Sequence, residues 1–189
     1  MILPIVAYGD PVLKKKAENI NADYKDLQTL IKNMFETMYE ASGVGLAAPQ
    51  IGKAIRLFVV DASPFAEDEG QEHLENFKKV FINAKIIEES GEEWAFNEGC
   101  LSIPGVRGDV VRKPNIKIQY WDENFKEHTD DYDGVAARII QHEYDHIEGI
   151  LFVEKLNPLK KKLLKSRLND ISNGQCKADY KMKFPNKIK

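Results

Sequence analysis

His142-Glu143-Tyr144-Asp145-His146 sets two imidazoles four residues apart, on one face of a helix, with a carboxylate beside the first. That spacing lets both rings grip one metal ion. The glutamate next to them can then take a proton from water held on that ion. With four histidines and 17 glutamates in 189 residues, chance would place the pattern in roughly 0.006 of such chains. A helix whose histidines merely meet solvent or core partners is the plain alternative. A third ligand decides between them.

The surrounding pattern says where this helix sits. It is expected to open near Gly134 and stop at Gly149. Val135, Ala136, Ala137, Ile139 and Ile140 make its first turns apolar nearly all round, interrupted by Arg138. Such a helix is enclosed by other elements rather than lying on a surface. Asp130 to Asp133 place carboxylates at its positive end.

Upstream, Gly9-Asp10-Pro11 reads as a turn, and Asn21 to Asp23 offer caps for a helix over 24–41. Leu27, Leu30, Ile31, Met34 and Met38 follow the helical period, so one face is buried. Gly43-Val44-Gly45-Leu46-Ala47-Ala48-Pro49-Gln50 is small and uncharged, and lacks the Lys-Ser/Thr ending of a phosphate loop. It reads as backbone approaching something closely, with Gln50 presenting an amide, or as a plain connector. Strands are expected over 56–60, 80–87, 109–112 and 116–121, the last two divided by Pro114. The acidic stretch around Glu67, Asp68, Glu69 and Glu72 reads as a solvated loop. Past the central helix come a short strand over 150–153 and a helix opened by Asn157-Pro158 and stopped at Gly174. Leu159, Leu163, Leu164, Leu168 and Ile171 form its apolar side, and a last strand is expected over 178–184.

Composition bounds the class. A chain of 189 residues can bury a core without disulfides, and 43% hydrophobic with 30% charged residues suits a water-soluble protein. The sequence reads as one domain over 1–189, with positions beyond about 174 forming a basic C-terminal extension. No apolar run approaches the ~18 residues of a membrane span, and Met1-Ile2-Leu3-Pro4-Ile5-Val6 lacks the basic lead of a signal peptide. A cytoplasmic protein is therefore expected, with Cys100 and Cys176 as free thiols or ligands. The net charge of −3 hides an asymmetry: Lys155 to Lys189 hold eleven Lys/Arg against two aspartates, while the other residues carry 16 basic and 28 acidic side chains. A basic end can favour RNA or another polyanion. A solvated lysine-rich face is the alternative.

A catalytic metal usually keeps three protein ligands and one open position. In the HExxHxxGxxH pattern the third histidine position falls here on Phe152, which binds no metal. No glutamate follows Glu154, and Glu154 is too near; Asp170 and Asp179 stay open as alternatives. His73 and His128 sit in polar surface stretches. Cys100 is the better choice, since a thiolate is a strong soft ligand and the residue precedes an apolar, strand-like segment.

Gly43 to Gln50, Glu98-Gly99-Cys100-Leu101-Ser102 and Gln141 to His146 resemble, in order, the three signature motifs of peptide deformylases. The resemblance runs from the N-terminus to about Leu156, while the region beyond Gly174 departs from the pattern expected of many members. With the elements above, it implies an α+β fold: antiparallel or mixed sheets packed around the central HExxH helix, flanked by an N-terminal and a C-terminal helix. It also implies removal of the formyl group from nascent peptides that begin with formyl-methionine. Cys100, His142 and His146 would hold one divalent metal, with Glu143 moving the proton. By the same resemblance Gln50 and the Leu101 N–H meet the oxyanion, and Gly45 and Arg107 contact the peptide. Val44, Phe96, Ile139 and the stem of Arg138 line the methionine pocket. Fe2+ is the physiological ion the family suggests, with Zn2+, Ni2+ or Co2+ fitting the same donors. Asp145 is expected to pair with Arg112, either bracing the site or as a surface ion pair. A general metallopeptidase and a non-catalytic, metal-stabilised RNA-binding protein remain the other readings. The basic end would bring the enzyme to the ribosome. No large unpaired apolar stripe is evident, so a monomer is expected.

Overall fold

Leu57, Phe58, Val59 and Val60 are all fully buried because their strand is covered on both faces. The structure, a computed structural model, describes residues 1–185; positions 186–189 of the basic tail lie outside it. The chain begins with β1 (Ile5–Val6), α1 (Leu27–Glu40), β2 (Gly45–Ala47), β3 (Leu57–Asp61) and β4 (Lys78–Ser90). It continues with β5 (Trp94–Cys100), β6 (Ile103–Arg112), β7 (Asn115–Trp121), β8 (Glu127–Tyr132) and α2 (Gly134–Ile147). The chain then runs through α3 (Pro158–Ser172) to β9 (Met182–Lys183).

Five strands form one antiparallel sheet in the order β2-β3-β4-β7-β8, while β5 and β6 form a separate hairpin. The parallel β1-β9 pair makes the architecture mixed, as the α+β expectation allows. Along β3 the side chains alternate between two cores. Phe58 and Val60 join Phe81, Ile118 and Ala137 under α2, while Leu57 and Val59 join Leu30, Met34 and Met38 under α1. Each such side chain contributes about 1.5–3 kcal/mol through removal from water. A third core of Leu13, Ile103, Val110, Phe152 and Ile171 lies between the hairpin and the last helix. The HExxH helix is thereby enclosed, as its all-round apolar composition requires.

Several boundaries differ from the sequence reading. Helix α1 begins at Leu27 after Asp26, whose backbone is left-handed and whose side chain makes no cap, so the 21–23 candidates are not used. Positions 150–153 form no strand; Phe152–Glu154 make one tight helical turn, with Leu151, Phe152 and Val153 all facing the third core. Asn157 does cap α3, accepting from the Lys160 amide at 2.8 Å. Leu159 and Leu163, however, are about 70% exposed, because only the far end of α3 packs. The last strand shrinks to two residues. Of the expected helix-end carboxylates, Asp130 instead accepts from Tyr120 and Tyr132 within β8 and its neighbour. Among the described residues no helix is long and apolar enough to cross a membrane. Both cysteines are free.

Candidate metal centre and its cleft

Helix α2 presents His142 and His146 from successive turns toward the end of β5, where Cys100 sits. One donor atom from each lies within 4.8 Å of the others, and Cys100 Sγ is 3.3 Å from His146 Nε2. Among the described residues Asp170 and Asp179 do not join this group. The β5–β6 register breaks between Gly99 and Cys100, with Cys100 paired to Ile103 across a two-residue turn. An irregularity of this kind re-aims a strand side chain. A thiol and two imidazoles at this spacing fit one divalent ion, with a position left over for water.

Glu98 anchors His142, a part the sequence reading did not give it. Its Oε2 meets His142 Nδ1 at 2.9 Å, which turns His142 Nε2 toward the other donors. The Arg112 guanidinium grips the same carboxylate at 2.7 and 3.0 Å and reaches Asp145 at 2.7 Å. Arg138 adds a third contact at 3.1 Å, with its other bonds going to the Val110 and Trp94 carbonyls. Burial works to raise the Glu98 carboxyl, but His142 and Arg112 outweigh it and hold it well below the usual carboxylate range. Breaking a buried pair of this kind costs about 3–5 kcal/mol. The Arg112–Asp145 contact is therefore interior, not a surface ion pair. Glu98 stands two residues before Cys100 in the same short motif, and that proximity to a candidate ligand is the signal that could have found it.

Glu143 lies beside the donors, buried, with Oε2 lacking any hydrogen-bond partner among the described residues. Burial is the largest influence on its carboxyl. His142 opposes it, Glu98 and Asp145 add to it, and the pKa is pushed up to about 7. Gly45 makes room for this side chain: a Cβ there would stand 2.5 Å from Glu143 Oε1. Gly45→Ala is expected to displace Glu143 and lower turnover by about 10²-fold, with metal content unchanged. Full turnover in that variant would show the close approach to be incidental.

Gln50 rides on the tight turn Ala48–Ile51 after β2. Its Oε1 accepts from the Ala47 amide at 2.8 Å, so its Nε2 points at Cys100 Sγ (3.5 Å) and Ser102 Oγ (3.4 Å). The odd small-residue segment thus carries one oriented amide. Around these groups runs a cleft of about 660 Å³. Val44, Phe96, Leu101, Arg107, Arg138 and Ile139 are among the residues that line it. Arg138 differs in one respect. Its guanidinium is buried over the Trp94 ring at 4.6 Å rather than offered to solvent. Arg107 is exposed and held by Asn97 at 2.8 Å. The tail, including Lys177, Asp179 and Tyr180, closes one side of the cleft, which nothing in the local sequence announced.

The sequence matches the family model described as polypeptide deformylase over residues 2–162. A peptide deformylase of Christiangramia forsetii is 62% identical, across 98% of this chain and 97% of its own. One from Flavobacterium psychrophilum is 58% identical, across 97% of each. The solved peptide deformylase of Legionella pneumophila superposes with a TM-score of 0.79 at 38% identity, covering 93% of this chain and 98% of that one.

Proposed function

The chain belongs to the peptide deformylase family, hydrolases that remove the N-formyl group from nascent polypeptides, and from that premise we propose which of its residues carry the reaction. Cys100, His142 and His146 hold the metal; the observation that carries this is their convergence within 4.8 Å. A divalent ion bound there supplies a Lewis acid that makes a coordinated water acidic enough to react near neutral pH. Glu143 takes the proton of the attacking water and returns it to the departing amine, so formate and a free amino terminus leave. The Gln50 Nε2 and the Leu101 N–H receive the negative charge that develops on the formyl oxygen. Gly45 and Arg107 position the peptide backbone, and Val44, Phe96, Ile139 and the stem of Arg138 take the methionine side chain. Arg112, Asp145 and Arg138 keep Glu98 in place to orient His142.

Family membership favours Fe2+ as the working ion, while the donor set itself fits Zn2+, Ni2+ or Co2+ as well; metal analysis of protein purified without oxygen tests this. A general metallopeptidase is disfavoured by family membership. Formyl-Met peptides should be turned over, while the same peptides without formyl, or with only internal amide bonds, should not. Cleavage of internal bonds at comparable rates would refute the reading. The eight Lys/Arg between Lys155 and Lys181 support an approach to the ribosome, where substrates emerge. Co-sedimentation with ribosomes that did not weaken with salt would count against that.

A further inference from the structure

Tyr180 stands outside the matched family span of residues 2–162, yet its hydroxyl donates to the Leu101 carbonyl at 2.7 Å. The tail reaches that point by a defined route. Gly174, at φ +77°, turns the chain back from the end of α3, and Cys176, Met182 and Phe184 pack on the third core. Strand β9 then lies parallel to β1, with the Ile5 and Ala7 amides donating to the Lys181 and Lys183 carbonyls at 2.9 and 2.8 Å. The next carbonyl of the turn, Ser102, accepts from the Tyr8 amide at 2.8 Å. Both carbonyls of the Leu101-Ser102 turn are therefore taken, one by the tail and one by the N-terminal segment. Cys100, just before the turn, is fixed by the β5–β6 pairing.

We propose that Tyr180 is a positioning residue: by fixing the Leu101 carbonyl it sets the orientation of Leu101 and so aims the Leu101 N–H at the developing oxyanion. The inference rests on the reading of that N–H as an oxyanion donor. Leu101 is held at its N-terminal side by strand pairing and at its C-terminal side by the phenol. Without the phenol the Leu101–Ser102 peptide plane is released, and with it the torsion at Leu101 that sets the tilt of its N–H, while the Tyr8 bond to Ser102 and the metal donors stay where they are. Misplacing a catalytic group by about 1 Å costs up to 10²-fold in rate.

Tyr180→Phe tests this, since it keeps the ring and removes only the hydroxyl. The full, metal-loaded chain is compared with the variant for kcat, KM, metal content, Tm and amide hydrogen exchange. The expected result is a fall in kcat of about tenfold, with KM within about twofold. Metal content and Tm should be unchanged, and exchange should quicken at Leu101 and Ser102 but not along α2. Unchanged exchange at Leu101 would overturn the clamp itself. Faster exchange with unchanged kcat would overturn the proposal through the reading beneath it, since a loosened Leu101 N–H would then be no oxyanion donor. A loss of Tm or metal in step with kcat would overturn it too, leaving Tyr180 as an anchor for the tail only.

Discussion

Replacing Glu143 with glutamine is expected to lower kcat for a formyl-Met peptide by about 10²–10⁴-fold, with the metal still bound. The amide matches the carboxylate in size, so the space between Gly45 and α2 stays filled. What is lost is the carboxylate proposed to accept the proton, buried and with an Oε2 that has no partner among the described residues. KM should move little, because the interaction removed exists mainly in the transition state. Turnover and metal content measured on the same sample check this. A variant that kept full activity would remove Glu143 from the mechanism.

Cys100→Ala is expected to have the second large effect, through a different route. Taking away the thiolate leaves two imidazoles, too few to hold a divalent ion tightly. Metal should fall from about one per chain to near zero, and turnover with it. The fold should survive, because Glu98 keeps Arg112, Arg138 and His142 in place without the sulfur. Metal analysis after gel filtration, with a thermal melt of the same protein, separates loss of the ion from loss of the fold. An alanine variant that retained the metal would place the third ligand elsewhere.

What was legible in the sequence divides along physical lines. Helix α2 and its histidines could be read because the helical period alone brings residues 142 and 146 together. Helix α1 could be read because Leu27, Leu30, Ile31, Met34 and Met38 mark one buried face. Strand β8 could not. Its exposed and half-buried positions alternate without an apolar run, and its inner side is held by hydrogen bonds among Tyr120, Asp130 and Tyr132 and by Tyr132 packing against Phe77. Strand β5 could not be read either, because Asn97, Glu98 and Gly99 are poor strand formers taken singly. Its inward Glu98 is stabilised by partners 14, 40 and 44 residues away. The identity of those partners is a property of the fold, not of local spacing.

The C-terminal helix shows the converse. Periodicity predicted a continuous apolar side, yet Leu159 and Leu163 stay exposed while Leu168 and Ile171 are buried. Period fixes which residues share a face, but the neighbouring elements decide how far along that face is covered. The same holds for the tail, whose Tyr180 meets Leu101 across 79 residues. The family resemblance ended before it, and its contact with the Leu101-Ser102 turn depends on β9 finding β1.

The most direct test of the account is X-ray absorption at the metal edge of the zinc-loaded full-length protein. One sulfur at about 2.3 Å and two nitrogens at about 2.0–2.1 Å, completed by oxygen from solvent, is the shell predicted for Cys100, His142 and His146. A shell without sulfur, or one closed by four protein ligands, would contradict it.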